Sequence, residues 1–291
     1  MAKHVLVTGG AGFIGSHVVD AYLARGWRVS IVDDLSTGDR RNVNPRAEFY
    51  ETDIREAPLD KIRPDVINHH AAQMDVRRSV ADPVFDASVN VIGSLRLLQQ
   101  SVEIGVKRFI FASTGGAIYG EPVFAPQTEK HPTNPLSPYG CAKLAVEHYM
   151  HYFRTVHGLP TVALRYANVY GPRQNSKGEA GVVAIFIEKK VRGERAVING
   201  DGEQTRDFVY VGDVVAANMQ VSETSDAGPF NVGTGVETTV NQLAKMIGID
   251  ATHGPAKAGE QRRSVLASSF GRTQLADGLR ETVAWFTDRK T

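Results

Sequence analysis

The chain has 291 residues, of which 42% are hydrophobic and 22% are charged, and its formal net charge at pH 7 is +1. This composition is typical of a globular protein with a large core, and it gives no electrostatic reason to expect binding to nucleic acid or to an anionic membrane. No apolar run reaches the length of a membrane span, and the N-terminus leads directly into a strand pattern. We therefore expect a cytoplasmic protein, and the single cysteine, Cys141, agrees with a reducing compartment.

The first elements along the chain form a strand–helix–strand unit. Val5-Leu6-Val7 predicts a short buried strand, helical periodicity runs from Phe13 to Arg25, and the stretch from Val29 to Val32 predicts the next strand. Further strands are predicted at 66–68, 109–111 and 162–164, separated by predicted helices at 84–104 and 142–156. Strands that alternate with helices indicate an α/β fold, with a doubly wound parallel sheet covered on both faces.

A glycine pattern lies between the first strand and the first helix. Gly9, Gly12 and Gly15 would allow a tight turn, close approach of a pyrophosphate to the backbone, and close helix packing. The N–H groups at the helix start would then hold phosphates. Asp33, at the end of the second strand, is expected to accept hydrogen bonds from the adenine ribose and to repel a 2′-phosphate. The pattern predicts NAD rather than NADP; a purely structural turn and a strand-end cap are the alternatives.

The sequence pattern changes after about Gly171, where short predicted strands and glycine-containing turns become frequent. We expect residues 1–170 to form the NAD-binding domain and residues 171–291 to form mainly a smaller substrate-binding region. Isolated helices are predicted at 182–192 and 240–247, and the strand Phe230-Asn231-Val232 is expected to return to the large domain. The Pro-rich run from Glu121 to Pro138 predicts a long loop, which is either functional or an irregular connection.

Several ordered motifs together resemble one family. TGGAGFIGSH, VDDLSTG, FASTGGAIYG, SPYGCAK, LRYANVYGPRQ, GDGEQTRDFVYVGDVV and FNVGTG are similar to the extended short-chain dehydrogenase/reductase superfamily, and more narrowly to its NAD-dependent nucleotide-sugar epimerases of the UDP-glucose 4-epimerase type. The resemblance runs from Val5 to about Ser264. It implies a Rossmann-type fold, bound NAD, a UDP-sugar substrate, a homodimer, and isomerase activity at C4 of a hexose through a transient 4-keto sugar.

The resemblance assigns catalytic roles to Tyr139, Lys143 and Thr114. Tyr139 and Lys143 lie four residues apart, on one face of a predicted helix, as an ordinary amphipathic helix would also place them. A tyrosine with its ordinary pKa of ~10 is a poor base at neutral pH, and a nearby ammonium favours the phenolate, so we expect Lys143 to lower the pKa of Tyr139. Gly115 stands where many relatives carry the hydroxyl residue, so that role is given to Thr114 ahead of Ser113.

The resemblance also implies a set of cofactor and substrate contacts. The expected cofactor-binding residues are Gly9, Gly12, Phe13, Ile14, Gly15, Asp33, Asp34, Leu35, Ser36, Thr37, Gly38, Asp53, Ile54, His70, Ala71, Ala72, Gln73, Asn90, Tyr139, Lys143, Tyr166 and Ala167. The expected substrate-binding residues are Thr114, Asn168, Arg206, Lys257 and Ser264. Lys257 stands where relatives commonly carry an arginine, so Arg262 or Arg263 could replace it as the phosphate ligand. The small Ser264 predicts room for an N-acetyl group on the sugar.

Other functions and sites are less favoured by the sequence. His69 and His70 are adjacent on a strand and would point to opposite faces, so no metal site is predicted. A 4,6-dehydratase would need an acid where Gly115-Gly116-Ala117 stand, since that group carries Thr-Asp-Glu there. A uronate decarboxylase or uronate epimerase shares the first chemical step. A non-catalytic NAD-sensing protein would have no need of Tyr139, Lys143 and Thr114.

Overall fold

The computed structural model describes residues 2–176, 181–256 and 261–289. The strands are β1 His4–Thr8, β2 Arg28–Asp33, β3 Glu48–Glu51, β4 Val66–His69, β5 Arg108–Thr114, β6 Thr161–Tyr166, β7 Asn168–Tyr170, β8 Ala196–Asn199, β9 Thr205–Arg206, β10 Phe208–Tyr210, β11 Gly228–Val232, β12 Thr238–Thr239 and β13 Ala251–Gly254. The helices are α1 Phe13–Ala24, α2 Leu59–Ile62, α3 Val76–Ala81, α4 Pro83–Ala87, α5 Gly93–Ile104, α6 Gly115–Ile118, α7 Pro138–His157, α8 Val182–Arg192, α9 Val211–Glu223, α10 Val240–Ile247 and α11 Leu275–Asp288.

The central sheet has seven parallel strands in the order β11-β6-β5-β4-β1-β2-β3. This order confirms the predicted Rossmann-type, doubly wound α/β fold. From β1 the chain moves outward through β2 to β3, and it then returns to the other side of β1 at β4. The reversal leaves a crevice at the carboxyl ends of β1 and β4, where open α/β sheets bind their ligands.

Helices cover both faces of the sheet, and the strands are apolar because both of their faces are buried. Val5 and Val7 of β1 pack with α1 and α9, whereas Leu6 packs with α5 and α7. Successive side chains of a strand point to opposite faces, so one short strand contributes to both layers. The predicted alternation of strands and helices therefore corresponds to two cores separated by one sheet.

Helix α7 begins four residues before its predicted start at Ala142. Ser137 caps it by accepting a hydrogen bond from the Gly140 N–H at 3.1 Å, and Pro138 takes the first helical position. A proline is well placed there because its missing N–H would have no partner inside the helix. Gly158, with φ 67°, ends the helix. The early start places Tyr139 in the first turn.

The predicted single helix at 84–104 is interrupted in its middle. Helix α4 is followed by a π-helical turn at Ser88–Ile92, and α5 continues from Gly93. Single π-turns inside helices frequently mark functional sites. Here the turn carries Asn90, whose buried side chain contacts the segment that follows β4.

The C-terminal part has a core of its own and also contributes to the large sheet. Ile187 of α8, Leu243 of α10 and Leu279 of α11 pack in one cluster, and both of the predicted helices, at 182–192 and 240–247, are confirmed to the residue. Strand β11 pairs with β6, as expected for the returning strand, and α9 packs on the α1 side of the sheet. The division near residue 171 stays a prediction.

The structure contains elements that were not predicted from the sequence. It also bears on the predicted long loop and on the expectation that no segment spans a membrane. The added elements include the edge strand β3, helix α9 and the β8–β13 pair. Residues 121–137 form a loop without helix or strand apart from an isolated bridge from Gln127 to Leu266. Within the described ranges, no helix is long and apolar enough to cross a membrane.

Candidate active site

The predicted site residues gather at the carboxyl edge of the central sheet. The glycine loop follows β1, residues 33–38 follow or end β2, residues 70–73 follow β4, Thr114 ends β5, and Tyr166 ends β6. These segments are far apart in the chain. They meet because the strands are parallel, so that all of their carboxyl ends lie along one edge.

Close backbone contacts explain the glycines of the first loop. Gly9 has φ +69°, and a Cβ added there would lie 2.7 Å from the Ala71 backbone nitrogen; a Cβ on Gly15 would lie 2.1 Å from the Gly9 carbonyl oxygen. Helix α1 begins after Gly12 with no side-chain cap and no acidic residue in its first turn. The N–H groups at this helix end therefore fit the pyrophosphate of a dinucleotide.

Asp33 is buried and holds the loops on either side of it. One carboxylate oxygen accepts a hydrogen bond from the Ala11 N–H and the other accepts one from the Leu35 N–H, each at 2.9 Å. Burial raises the pKa of Asp33, and these N–H donors oppose that change. A Cβ on Gly38 would lie 2.9 Å from Asp33 Oδ1, so the predicted segment 34–38 folds back against this carboxyl. This arrangement fits a ribose with free hydroxyls and disfavours a second phosphate.

A chain of hydrogen bonds fixes the segment after β4. The Ser94 hydroxyl donates to the Asn90 carbonyl at 2.6 Å, so the His69 Nε2 that lies 2.9 Å from Ser94 Oγ must carry the proton and donate. His69 Nδ1 then accepts from the Thr8 hydroxyl at 2.6 Å, and Thr8 Oγ1 accepts from the Ala71 N–H at 3.2 Å. Burial, and then the charge of Lys143, hold the pKa of His69 far below its ordinary value. The His69 imidazole is therefore neutral, and it holds this segment in place instead of carrying protons.

A second buried cluster joins the same segment to the helices beside it. Asn90 accepts from the Gln73 N–H at 2.9 Å and donates to the Gln73 carbonyl at 2.8 Å. Gln73 Nε2 donates to Asp86 Oδ1 at 2.9 Å, and Asn90 Nδ2 donates to the same oxygen at 3.0 Å. Gln73 and Asn90, both predicted as cofactor contacts, are therefore held by Asp86, which the sequence analysis did not identify as a site residue. Asp86 could have been found from its position four residues before Asn90, since this spacing places both side chains on one face of a helix.

Tyr139 and Lys143 occupy one face of α7, and Lys143 is 3% exposed. The Lys143 ammonium donates to the Ala112 carbonyl at 2.8 Å and lies 4.6 Å from the Phe111 ring centroid and 5.8 Å from that of Tyr139. Burial lowers the pKa of Lys143 to about 8, although the charges of Asp86 and Glu147 oppose this shift. At neutral pH the side chain is still mainly an ammonium.

The expectation that Lys143 lowers the pKa of Tyr139 is wrong, because this pKa is raised in the structure. Burial raises this pKa above its ordinary value, and the charge of Asp86 raises it further. The protein groups taken alone thus favour the neutral phenol. The reason is that desolvation of the phenolate dominates, and no lowering by Lys143 offsets it.

The two candidate hydroxyls at the end of β5 have different surroundings. The Ser113 hydroxyl donates to Glu147 Oε1 at 2.5 Å, and Glu147 is also paired with Arg165, at 2.6 Å. Successive residues of a strand face opposite sides, so Thr114 points away from this pair. A Cβ on Gly115 would lie 2.4 Å from the Leu266 side chain, which fills the space that a larger residue would need. Thr114 is therefore the better candidate for contact with a substrate hydroxyl.

The nicotinamide side of the predicted site is aromatic and rigid. The rings of His70 and Tyr166 are nearly parallel, at 16° with centroids 6.2 Å apart, and the Tyr166 hydroxyl accepts from Asn218 Nδ2 at 2.8 Å. Burial, and then the charge of Lys143, lower the pKa of His70 to about 3. Ala167 donates its N–H to the Val232 carbonyl at 2.9 Å, which ties this side to β11.

The predicted adenine contacts, Asp53 and Ile54, begin a short helical turn after β3. Asp53 caps this turn by accepting from the Arg55 N–H at 2.8 Å, and its carboxylate also pairs with the Arg55 guanidinium. Ile54 is buried against the large core.

The predicted substrate contacts lie on several elements and differ in their exposure. Asn168 begins β7, and Arg206 ends β9, where its guanidinium donates to the Thr205 carbonyl at 2.8 Å. Arg262 and Arg263 form ion pairs with Asp201 and Glu237. Ser264 is buried, and Lys257 lies outside the described residues. Among the residues that the structure describes, no group of three or more His, Cys, Asp or Glu side chains could hold a metal ion.

Comparisons with known proteins agree with this architecture. The model of the NAD-dependent epimerase/dehydratase family matches residues 5–233. A UDP-glucose 4-epimerase of Mycolicibacterium smegmatis is 42% identical, and the match covers 98% of each chain. The crystal structure of a UDP-glucose 4-epimerase with UDP-glucose from Thermotoga maritima is 47% identical, with a TM-score of 0.97, over 99% of this chain and 100% of that one. A UDP-N-acetylglucosamine 4-epimerase from Methanobrevibacter ruminantium, in complex with UDP-N-acetylmuramic acid, is 37% identical, with a TM-score of 0.95 over 99% of each chain.

Proposed function

The chain belongs to the NAD-dependent epimerase/dehydratase family, and we propose that it inverts the configuration at C4 of a UDP-hexose, as an NAD-dependent isomerase. The observation that carries this proposal is the pairing of Tyr139 and Lys143 on α7, where Lys143 donates to the Ala112 carbonyl near the end of β5. When bound, NAD supplies reversible removal of the C4 hydride, so that the net reaction is an isomerisation. The relatives named above support the substrate class.

In this proposal, residues of the chain bind NAD and exclude NADP. The glycine loop and the start of α1 would bind the pyrophosphate, and Asp33 would bind the adenine ribose. Gln73 and Asn90 brace the segment after β4, and Tyr166 with its stacked His70 forms a wall at the nicotinamide side. Because Gln73, Asn90 and Tyr166 are buried and each is held by hydrogen bonds, little of this part of the site has to be ordered on binding.

Tyr139 moves the proton in this proposal. It removes the proton from the sugar 4-hydroxyl as C4 is oxidised and returns it after the 4-keto sugar has turned over. The raised pKa of Tyr139 means that the protein groups alone, Lys143 included, do not make it a base near neutral pH, so the positive charge of a bound nicotinium would have to add to that of Lys143. Thr114 would hold the same sugar oxygen in place. Arg206 and Asn168 would bind the diphosphate.

The dehydratase alternative is disfavoured by the start of α6. Elimination of water requires a general acid, and residues 115–117 are Gly, Gly and Ala. The space beside Gly115 is filled by Leu266, which leaves no room there for a larger side chain without displacement. A uronate decarboxylase or uronate epimerase shares the oxidation step, and is distinguished by its product.

We further propose a cytoplasmic homodimer that forms through the helices on one side of the sheet. Val84 and Val156 are 78% and 61% exposed, and Ile92, Tyr149 and Tyr152 are also exposed on the same two helical segments. Exposed apolar side chains in this density are typical of an interface. Light scattering should give the mass of two chains, and Val84→Arg combined with Val156→Arg should give one; a monomeric unmodified protein would contradict the proposal.

Product analysis tests the proposed activity. Purified protein is incubated separately with UDP-glucose, UDP-N-acetylglucosamine and UDP-glucuronate, and the sugars are resolved by NMR. We expect UDP-galactose from UDP-glucose, with no loss of carbon from the uronate. Release of carbon dioxide from UDP-glucuronate, or a 4-keto-6-deoxy sugar as the product, would replace this proposal by one of the alternatives.

A further inference from the structure

Asp86 is a buried carboxyl that the catalytic scheme above does not use. It lies on α4 and is 1% exposed. Its Oδ1 accepts two hydrogen bonds, from the amides of Gln73 and Asn90, whereas its buried Oδ2 has no hydrogen-bond partner among the described residues. A buried carboxyl oxygen without a donor is costly, so its presence calls for a physical explanation.

The position of this carboxyl places its charge near the catalytic pair. Helix α4 and the π-turn after it pack against α7, which carries Tyr139 and Lys143. Asp86 is the protein charge that most raises the pKa of both side chains. One carboxyl therefore acts on both members of the pair.

The other titratable and charged groups around Lys143 are compensated or neutral. Glu147 on α7 is paired with Arg165 of β6 and accepts a hydrogen bond from the Ser113 hydroxyl. His69 and His70, at the end of β4, are kept neutral by burial and by Lys143 itself. Asp86, in contrast, accepts its hydrogen bonds from neutral amides. Its negative charge thus remains available to balance a buried ammonium.

We propose that Asp86 is a positioning residue of the catalytic pair, which supplies the counter-charge that keeps buried Lys143 an ammonium and, through Gln73 and Asn90, fixes the segment after β4 to that pair. The role of the pair itself rests on the function proposed above. The same charge also disfavours the Tyr139 phenolate. Asp86 therefore moves the working pH of both catalytic groups upward, toward the alkaline side.

The direct test measures the two titrations without turnover. Protein labelled with ¹³C at lysine Cε and tyrosine Cζ is titrated by NMR, with the signals assigned through Lys143→Arg and Tyr139→Phe. Asp86→Asn keeps the shape and the acceptor oxygen but removes the charge. We expect the pKa values of Lys143 and Tyr139 both to fall by about one unit. Asp60→Asn, which removes an exposed carboxylate from α2, should leave both values in place.

The pH profile of turnover gives the second readout. Asp86→Asn should move both limbs of the profile to lower pH, while Asp86→Glu, which keeps the charge, should retain limbs close to those of the unmodified protein. A lower rate with unmoved limbs, or unchanged NMR titrations in folded Asp86→Asn protein, would overturn the proposal. The NMR titration remains decisive even if no UDP-hexose is epimerised, so the failure of one proposal is distinguishable from the failure of the other.

Discussion

The cofactor side and the substrate side of the candidate site are built in different ways. On the cofactor side, Asp33, His69 and Asn90 are buried, and each is held by hydrogen bonds within the large sheet domain. On the substrate side, Arg262 and Arg263 lie at the surface in ion pairs with single carboxylates. The first region is fixed before any ligand arrives, whereas the second can exchange its partners.

This difference has an energetic reason. Exposed ion pairs contribute only about 0–1 kcal/mol, so replacing a carboxylate by a ligand phosphate costs little. Buried hydrogen bonds are costly to leave unmade, at about 1–3 kcal/mol for each orphaned group. Substitutions on the cofactor side should therefore impair folding, cofactor binding or chemistry, while substitutions on the substrate side should change mainly the apparent affinity for the sugar nucleotide.

Tyr139→Phe should have the largest effect, because it removes the proposed acid/base oxygen and leaves the half-buried ring. We expect turnover to fall by about 10³-fold or more, with folding and NAD binding nearly intact, as measured by product assay, thermal melting and calorimetry. Tyr210→Phe, which removes a hydroxyl bonded to Glu281 in the C-terminal part, is the control and should keep its activity. Turnover of Tyr139→Phe within a few-fold of the unmodified protein would refute the catalytic assignment.

Gly9→Ala and Gly26→Ala form a matched pair, because both glycines have positive φ, +69° and +75°. A Cβ on Gly26 meets nothing within 4 Å, so we expect only backbone strain, of about 1 kcal/mol, and unchanged NAD affinity. A Cβ on Gly9 would clash with the Ala71 backbone, and should cost clearly more stability and weaken NAD by at least ~10-fold. Equal losses in the two variants, measured by denaturant unfolding and calorimetry, would show that the close approach is unimportant.

Asp33→Ala should reduce the preference for NAD over NADP by about 10-fold, since it removes a charge that repels the 2′-phosphate. It also removes the acceptor for the Ala11 and Leu35 N–H groups, so a moderate loss of stability is expected with it. Asp33→Asn keeps a carbonyl acceptor and separates the two effects. Tighter binding of NADP than NAD by the unmodified protein, in calorimetry, would contradict the cofactor prediction.

Arg206→Lys examines the substrate side, where a bidentate fork is replaced by a point charge. We expect KM for the UDP-sugar to rise by about 10-fold with kcat nearly unchanged. Arg280→Gln, which breaks an exposed ion pair with Asp277, should alter neither constant and serves as the control. A loss confined to kcat would place Arg206 in the chemistry instead of in binding.

Ser264→Tyr should have the smallest effect on the plain hexose and a selective one on the acetylated sugar. If the small side chain leaves room at C2 of the sugar, the variant should lose activity on UDP-N-acetylglucosamine and retain most of it on UDP-glucose. Because Ser264 is 1% exposed, a tyrosine also disturbs packing, and Ser264→Ala is the control for the lost hydroxyl. Equal losses of activity on both sugars would contradict the placement of Ser264 in the sugar pocket.

The sequence alone determined those features that depend on neighbours along the chain. The glycine spacing, the alternation of strands and helices, the bounds of α8 and α10, and the Tyr139–Lys143 spacing all follow from local backbone geometry and periodicity. The resemblance to a family added roles to these residues. The start of α7 and the π-turn before α5 were not read from the periodicity, since a cap lies outside the apolar pattern and a single wide turn is too short to show a period of its own.

The tertiary structure decided whatever depends on residues that meet from distant parts of the chain. Leu266 fills the space beside Gly115, and Glu147 engages Ser113 and thereby leaves Thr114 as the candidate. Burial, with a further contribution from the charge of Asp86, raises the pKa of Tyr139, which is opposite to the expected direction. The pKa of a buried side chain is set by desolvation and by charges brought close through folding, and neither is visible in the spacing of residues along a helix.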